Sequence, residues 1–287
     1  MKKVYVFIIC FCFSLVNADS YKGEIEIWKK QRISSLKKNW LSLVDLHWIN
    51  KENTHIGSAE NSDIRVSQKR FPQQVGIFTK SNNQVFFTPQ VPGIICDGKP
   101  ISTKTIVFKK EKSCNLQYES LSWFVIERSG KLAVRVRDYK NEDISKLDKV
   151  LCFSIKSHWK VKAKFVPYMP PKKIEITNIL GMTSEDIVPG QLLFEIEGKE
   201  YSLDPVKSGS SLFIMFQDVT TGKTTYQVGR YIYADAPNEK GEVIIDFNKA
   251  YNPPCAYTPY ATCPMAPEQN KLPVAITAGE KYLLKNH

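Results

Sequence analysis

Most of the side chains that could do chemistry lie in two segments beyond residue 215. The segments 216–231 and 245–256 are dense in Asp, Thr, Tyr, Arg and Asn. A tight turn at 220–222 predicts two antiparallel strands, and period-two alternation along the second strand would place Tyr226 and Arg230 on one face. We expect the next strand in the sequence to lie beside them. The candidate ligand-binding residues are therefore Asp218, Tyr226, Arg230, Asp246, Asn248 and Asn252.

Such a group of side chains has three possible roles. Arginine forks and amide donors suit a small polar or anionic ligand, which is the function we expect. The same residues could instead form a buried network that fixes strand register. A third possibility is a hydrolase-like enzyme in which Asp218 or Asp246 acts as acid or base and Arg230 holds an anionic group. The sequence leaves the choice between enzyme and binding protein open.

Other chemistries lack their motifs. The sequence has no Gly-x-Ser-x-Gly elbow and no phosphate-binding P-loop. No histidines occur at metal-ligand spacing, and the acidic residues lack the alternation of a calcium loop, so we expect no metal and no cofactor. The formal charge is +11, but the lysines are scattered in short pairs without interleaved aromatic residues. This pattern indicates a solvated surface and not a nucleic-acid interface. We expect the protein to be a monomer.

The N-terminus has the pattern of a cleaved signal peptide over residues 1–18. Lys2 and Lys3 precede an apolar run from Val4 to Val16, and Ala18 offers a small residue for cleavage. The mature chain would then begin at Asp19, in the periplasm or outside the cell. The apolar run is too short to span a bilayer, and no later run is long enough, so integral membrane association is not expected.

Five cysteines remain after such cleavage. In an oxidising compartment Cys255 and Cys263 are the natural disulfide pair, because a proline-broken loop joins them. Cys152 lies in an apolar stretch that is typical of a core strand. The pairing of Cys96, Cys114 and Cys152 stays undecided.

The hydrophobic pattern predicts one helix followed by many short strands. Apolar residues recur on one helical face over 24–41. Turn signals at 81–83, 97–98, 129–130 and 198–199 then separate strand-like runs, and Trp159–Val166 alternates cleanly. We therefore expect a mainly β protein, an antiparallel β-sandwich or barrel-like body with one N-terminal helix. Residues 168–173 are the best linker, which would divide the mature chain into a half at 19–167 and a half at 168–287.

Two resemblances follow from particular residues. The order Ile56-Gly-Ser58, Asn61-Ser-Asp-Ile64 and Asp97-Gly98 is similar to that of forkhead-associated β-sandwiches, but Ser58 stands where that family has a phosphate-binding arginine. The chain also resembles a bacterial and archaeal domain of unknown function (family sixteen-eighty-four). The motifs that carry this resemblance are Trp40-Leu-Ser-Leu43, Arg135-Val-Arg-Asp138 and above all Asp246 to Cys255. The first resemblance implies a β-sandwich, and the second implies a family without an established activity.

Overall fold

The computed structural model describes residues 6–68, 70–110 and 112–282. Helix α1 (Val6–Asn39) begins well before the predicted start at Glu24. The reason is local: no proline interrupts these residues, so the predicted signal segment continues into the helix after it. Residues 1–5 of that signal segment lie outside the described residues. Among the helices that are described, none has both the length and the apolar character needed to cross a membrane.

The chain forms two compact units whose boundaries differ from the predicted halves. Within the described residues, the first unit comprises 6–35, 148–256 and 262–282, and the second comprises 36–68, 70–110, 112–147 and 257–261. The predicted linker at 168–173 lies inside strand β13 (Lys160–Thr177). Its two consecutive prolines, Pro170 and Pro171, sit where the pairing of β13 with the next strand shifts register, so they bend a strand and do not end a domain.

The second unit is built from two six-stranded sheets. Side chains of both sheets, including Phe78, Phe87, Trp123 and Val134, belong to one buried cluster, so the sheets form the predicted sandwich. In one sheet the order is β1-β12-β11-β10-β6-β7, and in the other it is β3-β2-β4-β5-β8-β9. The strands are β1 (Leu43–Trp48), β2 (Asn53–Gly57), β3 (Ile64–Arg65), β4 (Gly76–Ser81), β5 (Gln84–Pro89), β6 (Ile95–Cys96), β7 (Lys99–Pro100), β8 (Thr105–Lys109), β9 (Lys112–Ser113), β10 (Leu116–Tyr118), β11 (Leu121–Arg128) and β12 (Lys131–Asp138). A short helix α2 (Asp143–Lys146) follows them.

Two-residue turns join several of these strands, as predicted. Asn82 and Asn83 connect β4 to β5, and both have positive φ angles of 49° and 58°. Ser129 and Gly130 connect β11 to β12 with φ angles of 47° and 74°. Left-handed conformations at both central positions match the right-handed twist of the flanking strands, which is why Asn and Gly specify such hairpins.

The first unit has a four-stranded sheet in the order β15-β14-β13-β19 and a three-stranded sheet in the order β16-β17-β18. Both contribute to a second buried cluster, which includes Val161, Leu192, Ile214 and Ile232. Along β13 the buried Val161 and Ala163 alternate with exposed lysines, as the sequence predicts. The remaining strands are β14 (Thr183–Ile196), β15 (Lys199–Leu203), β16 (Val206–Ser208), β17 (Ser211–Phe216), β18 (Arg230–Asp235) and β19 (Glu242–Asp246). The mainly β fold with an N-terminal helix is thus confirmed.

Two local predictions in this unit are wrong. The residues between β17 and β18 form a long irregular connection, so Tyr226 does not lie on a strand with Arg230. Strand β19 does not pair with β18 but with β13, where Asp246 is opposite Lys160. Adjacent strands usually pair, but here β18 is the edge of the three-stranded sheet and the chain crosses to the other sheet before β19 begins.

Candidate functional site

The structure brings Asp218 and Arg230 together in the interior of the first unit. Arg230 opens β18 and its side chain is 1% exposed. The guanidinium donates to Asp218 Oδ1 at 3.3 Å, to the Ile276 carbonyl at 2.9 Å and to the Ala278 carbonyl, and it lies over the Phe216 ring at 5.2 Å. Burial lowers the pKa of Arg230, and the Asp218 carboxylate opposes that shift.

Asp218 is surrounded by donors. The Thr220 hydroxyl lies 2.9 Å from both carboxylate oxygens, the Thr221 hydroxyl is 3.2 Å from Oδ1, and the Ile276 amide donates to Oδ2 at 2.7 Å. The Asp218 side chain has no solvent exposure. The hydrogen bonds of this buried pair named above are all to groups of its own chain, and Arg230 Nε is buried without a hydrogen-bond partner. Buried polar networks of this kind can fix strand register, which was the alternative to a ligand site.

Asp246 and Asn248 belong to a different cluster. Asp246 Oδ1 accepts from the Tyr21 hydroxyl at 2.8 Å and from the Asn248 amide at 3.0 Å. The Asn248 side chain donates to the Tyr21 oxygen and to the Lys156 carbonyl, both at 2.9 Å. Burial, followed by Asp246, raises the pKa of Tyr21. This cluster therefore holds helix α1 to the end of β19, and the other oxygen of Asp246 is buried without a hydrogen-bond partner.

Asn252 lies beside a buried ion pair that the sequence analysis missed. Glu280 is 1% exposed, and its carboxylate accepts from the Asn252 amide at 2.7 Å and from Arg32 Nε at 3.0 Å. The Arg32 guanidinium also donates to the Asn252 carbonyl at 2.8 Å and stacks on the Tyr251 ring at 4.5 Å. Gly279, the residue before Glu280, lies close to the main chain at Ala250. Only glycine fits there, because its φ is +74° and an added Cβ would lie 2.4 Å from the Ala250 carbonyl oxygen.

A cavity of about 280 Å³ opens beside this ion pair. One wall is a face of helix α1, and the other is the segment around Cys152, whose main chain bridges to that of Glu280. Burial, followed by the charge of Glu280, raises the pKa of the Cys152 thiol to about 11, so this thiol is neutral. The lining residues are Glu26, Trp28, Lys29, Lys30, Arg32, Ile33, Lys149, Val150, Cys152 and Glu280.

Tyr226 and the predicted disulfide pair form a further group. The Tyr226 hydroxyl donates to the Cys255 carbonyl at 3.1 Å, and the Cys255 amide donates to the Cys263 sulfur at 3.1 Å. Neither Cys255 nor Cys263 is in a disulfide, so the predicted crosslink is not formed. The Cys263 sulfur therefore contacts the main-chain amide of Cys255, and it is not bonded to the Cys255 sulfur. The disulfide of the structure instead joins Cys96 to Cys114, a pairing that the sequence had left undecided.

The cavity could not have been found from the sequence segments that looked richest in chemistry. Arg32 and Lys30 lie on a helix whose polar residues look like an ordinary solvated face, and Lys149 is an isolated lysine. Of the lining residues, only Glu280 could have been singled out from the sequence, because it belongs to the polar motif Ala278-Gly-Glu-Lys281. None of the six predicted ligand-binding residues lines this cavity, although Asn252 contacts Arg32, which does.

These features describe a mainly β protein of two units, one of which combines a buried polar network with a cationic cavity. Residues 145–281 match the model of a family described as protein of unknown function (DUF1684). The resemblance to this family is therefore confirmed for that segment. The motifs that begin at Trp40 and Arg135 lie outside it. A solution NMR structure of an uncharacterised protein from Haloarcula marismortui is 28% identical, covering 50% of this chain and 80% of that one, with a TM-score of 0.42. No curated protein matches the chain.

Proposed function

We propose that the protein is an exported binding protein for a small anionic ligand, and that the ligand occupies the cavity between helix α1 and the Cys152 segment. The observation that carries this proposal is the composition of the cavity wall: four cationic side chains face two carboxylates. Ligand sites are typically concave and largely apolar with a few placed polar groups. Here Trp28, Ile33 and Val150 supply the apolar surface.

The ion pairs within the cavity wall leave a positive excess. Lys29 is 2.9 Å from Glu26, and Arg32 is 3.0 Å from Glu280, so both carboxylates are already matched. The other two cations of the wall, Lys30 and Lys149, are exposed at its rim. A ligand anion would give these ammonium groups a charge-assisted partner without displacing an existing pair. The fixed Arg32 would shape the wall, and the two lysines would supply attraction.

The protein has a second cavity, of about 510 Å³, whose charges suit an anion less well than those of the first cavity. It lies in the other unit, and its wall is lined by Arg70, Lys140 and Lys146 together with Asp138, Glu142 and Asp143. Equal numbers of opposite charges give no net attraction for an anion. The first cavity is therefore the better candidate for the ligand that the sequence led us to expect.

The arrangement does not favour the hydrolase alternative. Asp218 is enclosed by hydrogen-bond donors of its own chain, and neither Asp218 nor Asp246 lines the cavity. A general acid or base must reach the proton that it transfers, directly or through one water. The binding function needs no such access to these carboxylates.

Thermal shift with defined anions tests the binding proposal. Phosphate, citrate and benzoate should be titrated against the native protein, because a ligand of the native state stabilises it by about 2.7 kcal/mol at one hundred times its Kd. We expect Lys30→Glu and Lys149→Glu each to weaken the anion affinity at least about tenfold, since each reverses a rim charge, which would roughly halve the stabilisation at that ligand concentration. Lys22→Glu is the matched control, because Lys22 is equally exposed on the same helix and lies outside the cavity. Equal responses in Lys30→Glu and Lys22→Glu would refute the assignment of the site.

Export is the second part of the proposal. The signal-peptide pattern motivates it, and the tie between Tyr21 and Asp246 supports it, since the helix would still be anchored two residues after the new N-terminus. Intact-mass measurement of protein recovered outside the cytoplasm should give an N-terminus at or near Asp19. Retention of Met1 on that protein would contradict export by cleavage.

A further inference from the structure

The cavity beside helix α1 has apolar walls as well as cations at its rim. Trp28, Ile33 and Val150 line it, and each of these side chains is half-buried. Cys152 adds a neutral thiol to the wall, because burial, followed by the charge of Glu280, raises its pKa to about 11. A bare inorganic anion would leave this apolar surface without a partner. The walls therefore favour a ligand of which only one end is charged.

The charged side chains of the lining differ in how deeply they are buried. Arg32 and Glu280 are 10% and 1% exposed, and they neutralise each other in an ion pair of 3.0 Å. Lys30 and Lys149 are exposed. The buried charges thus have no net attraction for an anion, whereas the exposed lysines do. Because a charge is costly to bury without a partner, the charged end of a ligand belongs at the rim and its apolar end between the walls.

The size of the cavity narrows the choice further. Its volume of about 280 Å³ is just below the roughly 300–1,000 Å³ of sites for drug-sized ligands. Such a space accommodates one short hydrocarbon chain or a single ring. It is too small for the two acyl chains of a membrane lipid.

We propose that the anion of this site is a monocarboxylate with one medium-length hydrocarbon chain, such as octanoate. This inference rests on the binding function proposed above and names the class of ligand. Lys30 and Lys149 hold the carboxylate through charge-assisted contacts, and the chain lies against Trp28, Ile33 and Val150. Each methylene group that leaves water on binding should raise the affinity about fourfold.

Calorimetric titration of the native protein with straight-chain carboxylates from butyrate to octanoate tests this proposal. We expect the Kd to fall about fourfold with each added methylene group until the chain fills the cavity. 1-Octanol should bind at least about tenfold more weakly than octanoate, because it lacks the charge that the rim lysines attract. Inorganic phosphate reports on the charge of the site alone.

A substitution in the apolar wall separates the chain from the charge. Val150→Thr keeps the shape of the side chain and adds a hydroxyl group, so it should lower the octanoate affinity about fivefold or more and leave phosphate binding unchanged. Val219→Thr is the matched control, because it makes the same change at a valine that is 47% exposed and lies outside the cavity.

The outcomes distinguish this inference from the proposed function. Equal affinities along the carboxylate series, with phosphate still bound, would overturn the inference and leave the anion site in place. Binding of neither phosphate nor any carboxylate would refute both. Octanol binding as tight as that of octanoate would remove the role of the rim lysines, and equal losses in Val150→Thr and Val219→Thr would place the chain elsewhere. The carboxylate series uses the unsubstituted protein, so it decides the matter even where a variant misfolds.

Discussion

The buried ion pair between Arg230 and Asp218 should be the most sensitive point of the first unit. Arg230→Met removes three hydrogen bonds, those to Asp218, Ile276 and Ala278. Removal of one partner from a buried pair costs about 3–5 kcal/mol, because the other charge is left without compensation. Asp218 keeps its donors from Thr220 and from the Ile276 amide, so we expect the lower part of that range.

Two double-mutant cycles locate the coupling. In the first, Arg230→Met is combined with Asp218→Asn, which keeps the shape of the side chain and removes its charge. Residues in one ion pair show coupling of about 0.5–3 kcal/mol, so the double variant should lose clearly less stability than the sum of the single variants. In the second, Arg230→Met is combined with Asp246→Asn. Asp246 bonds Tyr21 and Asn248, so these losses should add to within about 0.5 kcal/mol.

Urea unfolding followed by tryptophan fluorescence and far-UV circular dichroism measures both cycles. Because the chain has two units, the two signals must be compared for coincidence before a single free energy is assigned. Hydrogen exchange along β17 and β18 then shows whether the loss belongs to this unit. Coupling of Arg230 to Asp246 as strong as its coupling to Asp218 would refute the separation of the two clusters. A loss under about 1 kcal/mol for Arg230→Met would show that the pair is solvated.

Three further predictions concern other parts of this unit. Tyr21→Phe should cost about 1–3 kcal/mol of unfolding free energy, because Asp246 then loses a donor in a buried position, and increased hydrogen exchange around Asn248 checks the location. Gly279→Ala should destabilise by more than about 1 kcal/mol in the same urea assay, because the left-handed backbone and the Ala250 carbonyl both oppose a Cβ; an unchanged midpoint would contradict this. The alkylation rate of Cys152 should rise with an inflection near pH 11 and not at the ordinary thiol pKa of about 8.5, since burial raises its pKa; an inflection at the ordinary value would show an exposed thiol.

The sequence specified those parts of the fold that depend on neighbouring residues. Asn82-Asn83 and Ser129-Gly130 adopt left-handed conformations that few residue pairs tolerate, so each hairpin could be placed from two residues. The buried Val161 and Ala163 alternate with lysines for the same local reason: side chains on a strand point to opposite faces.

Pairing between distant parts of the chain was not encoded in this local way. Strand β19 follows β18, yet it pairs with β13, about eighty residues earlier. Asp246 was accordingly expected beside Asp218 and Arg230, but only Asp218 and Arg230 form an ion pair and Asp246 belongs to another cluster. Order along the sequence gives only a statistical preference for neighbours. Which sheet a strand joins depends on burial across the whole unit, and no single stretch of residues reveals it.

The high density of polar residues in the matched family segment has a physical explanation that needs no reaction. From Asn252 to Glu280 the chain is mostly irregular and contains many prolines, yet much of it is buried. Buried main-chain groups outside helices and sheets must find hydrogen-bond partners among side chains. Arg230 satisfies two carbonyls of this segment, Asp218 satisfies the Ile276 amide, and Glu280 satisfies the Asn252 amide. The polar side chains therefore hold an irregular segment in place. The cationic cavity lies where that segment meets helix α1, and Glu280 both holds the segment and lines the cavity.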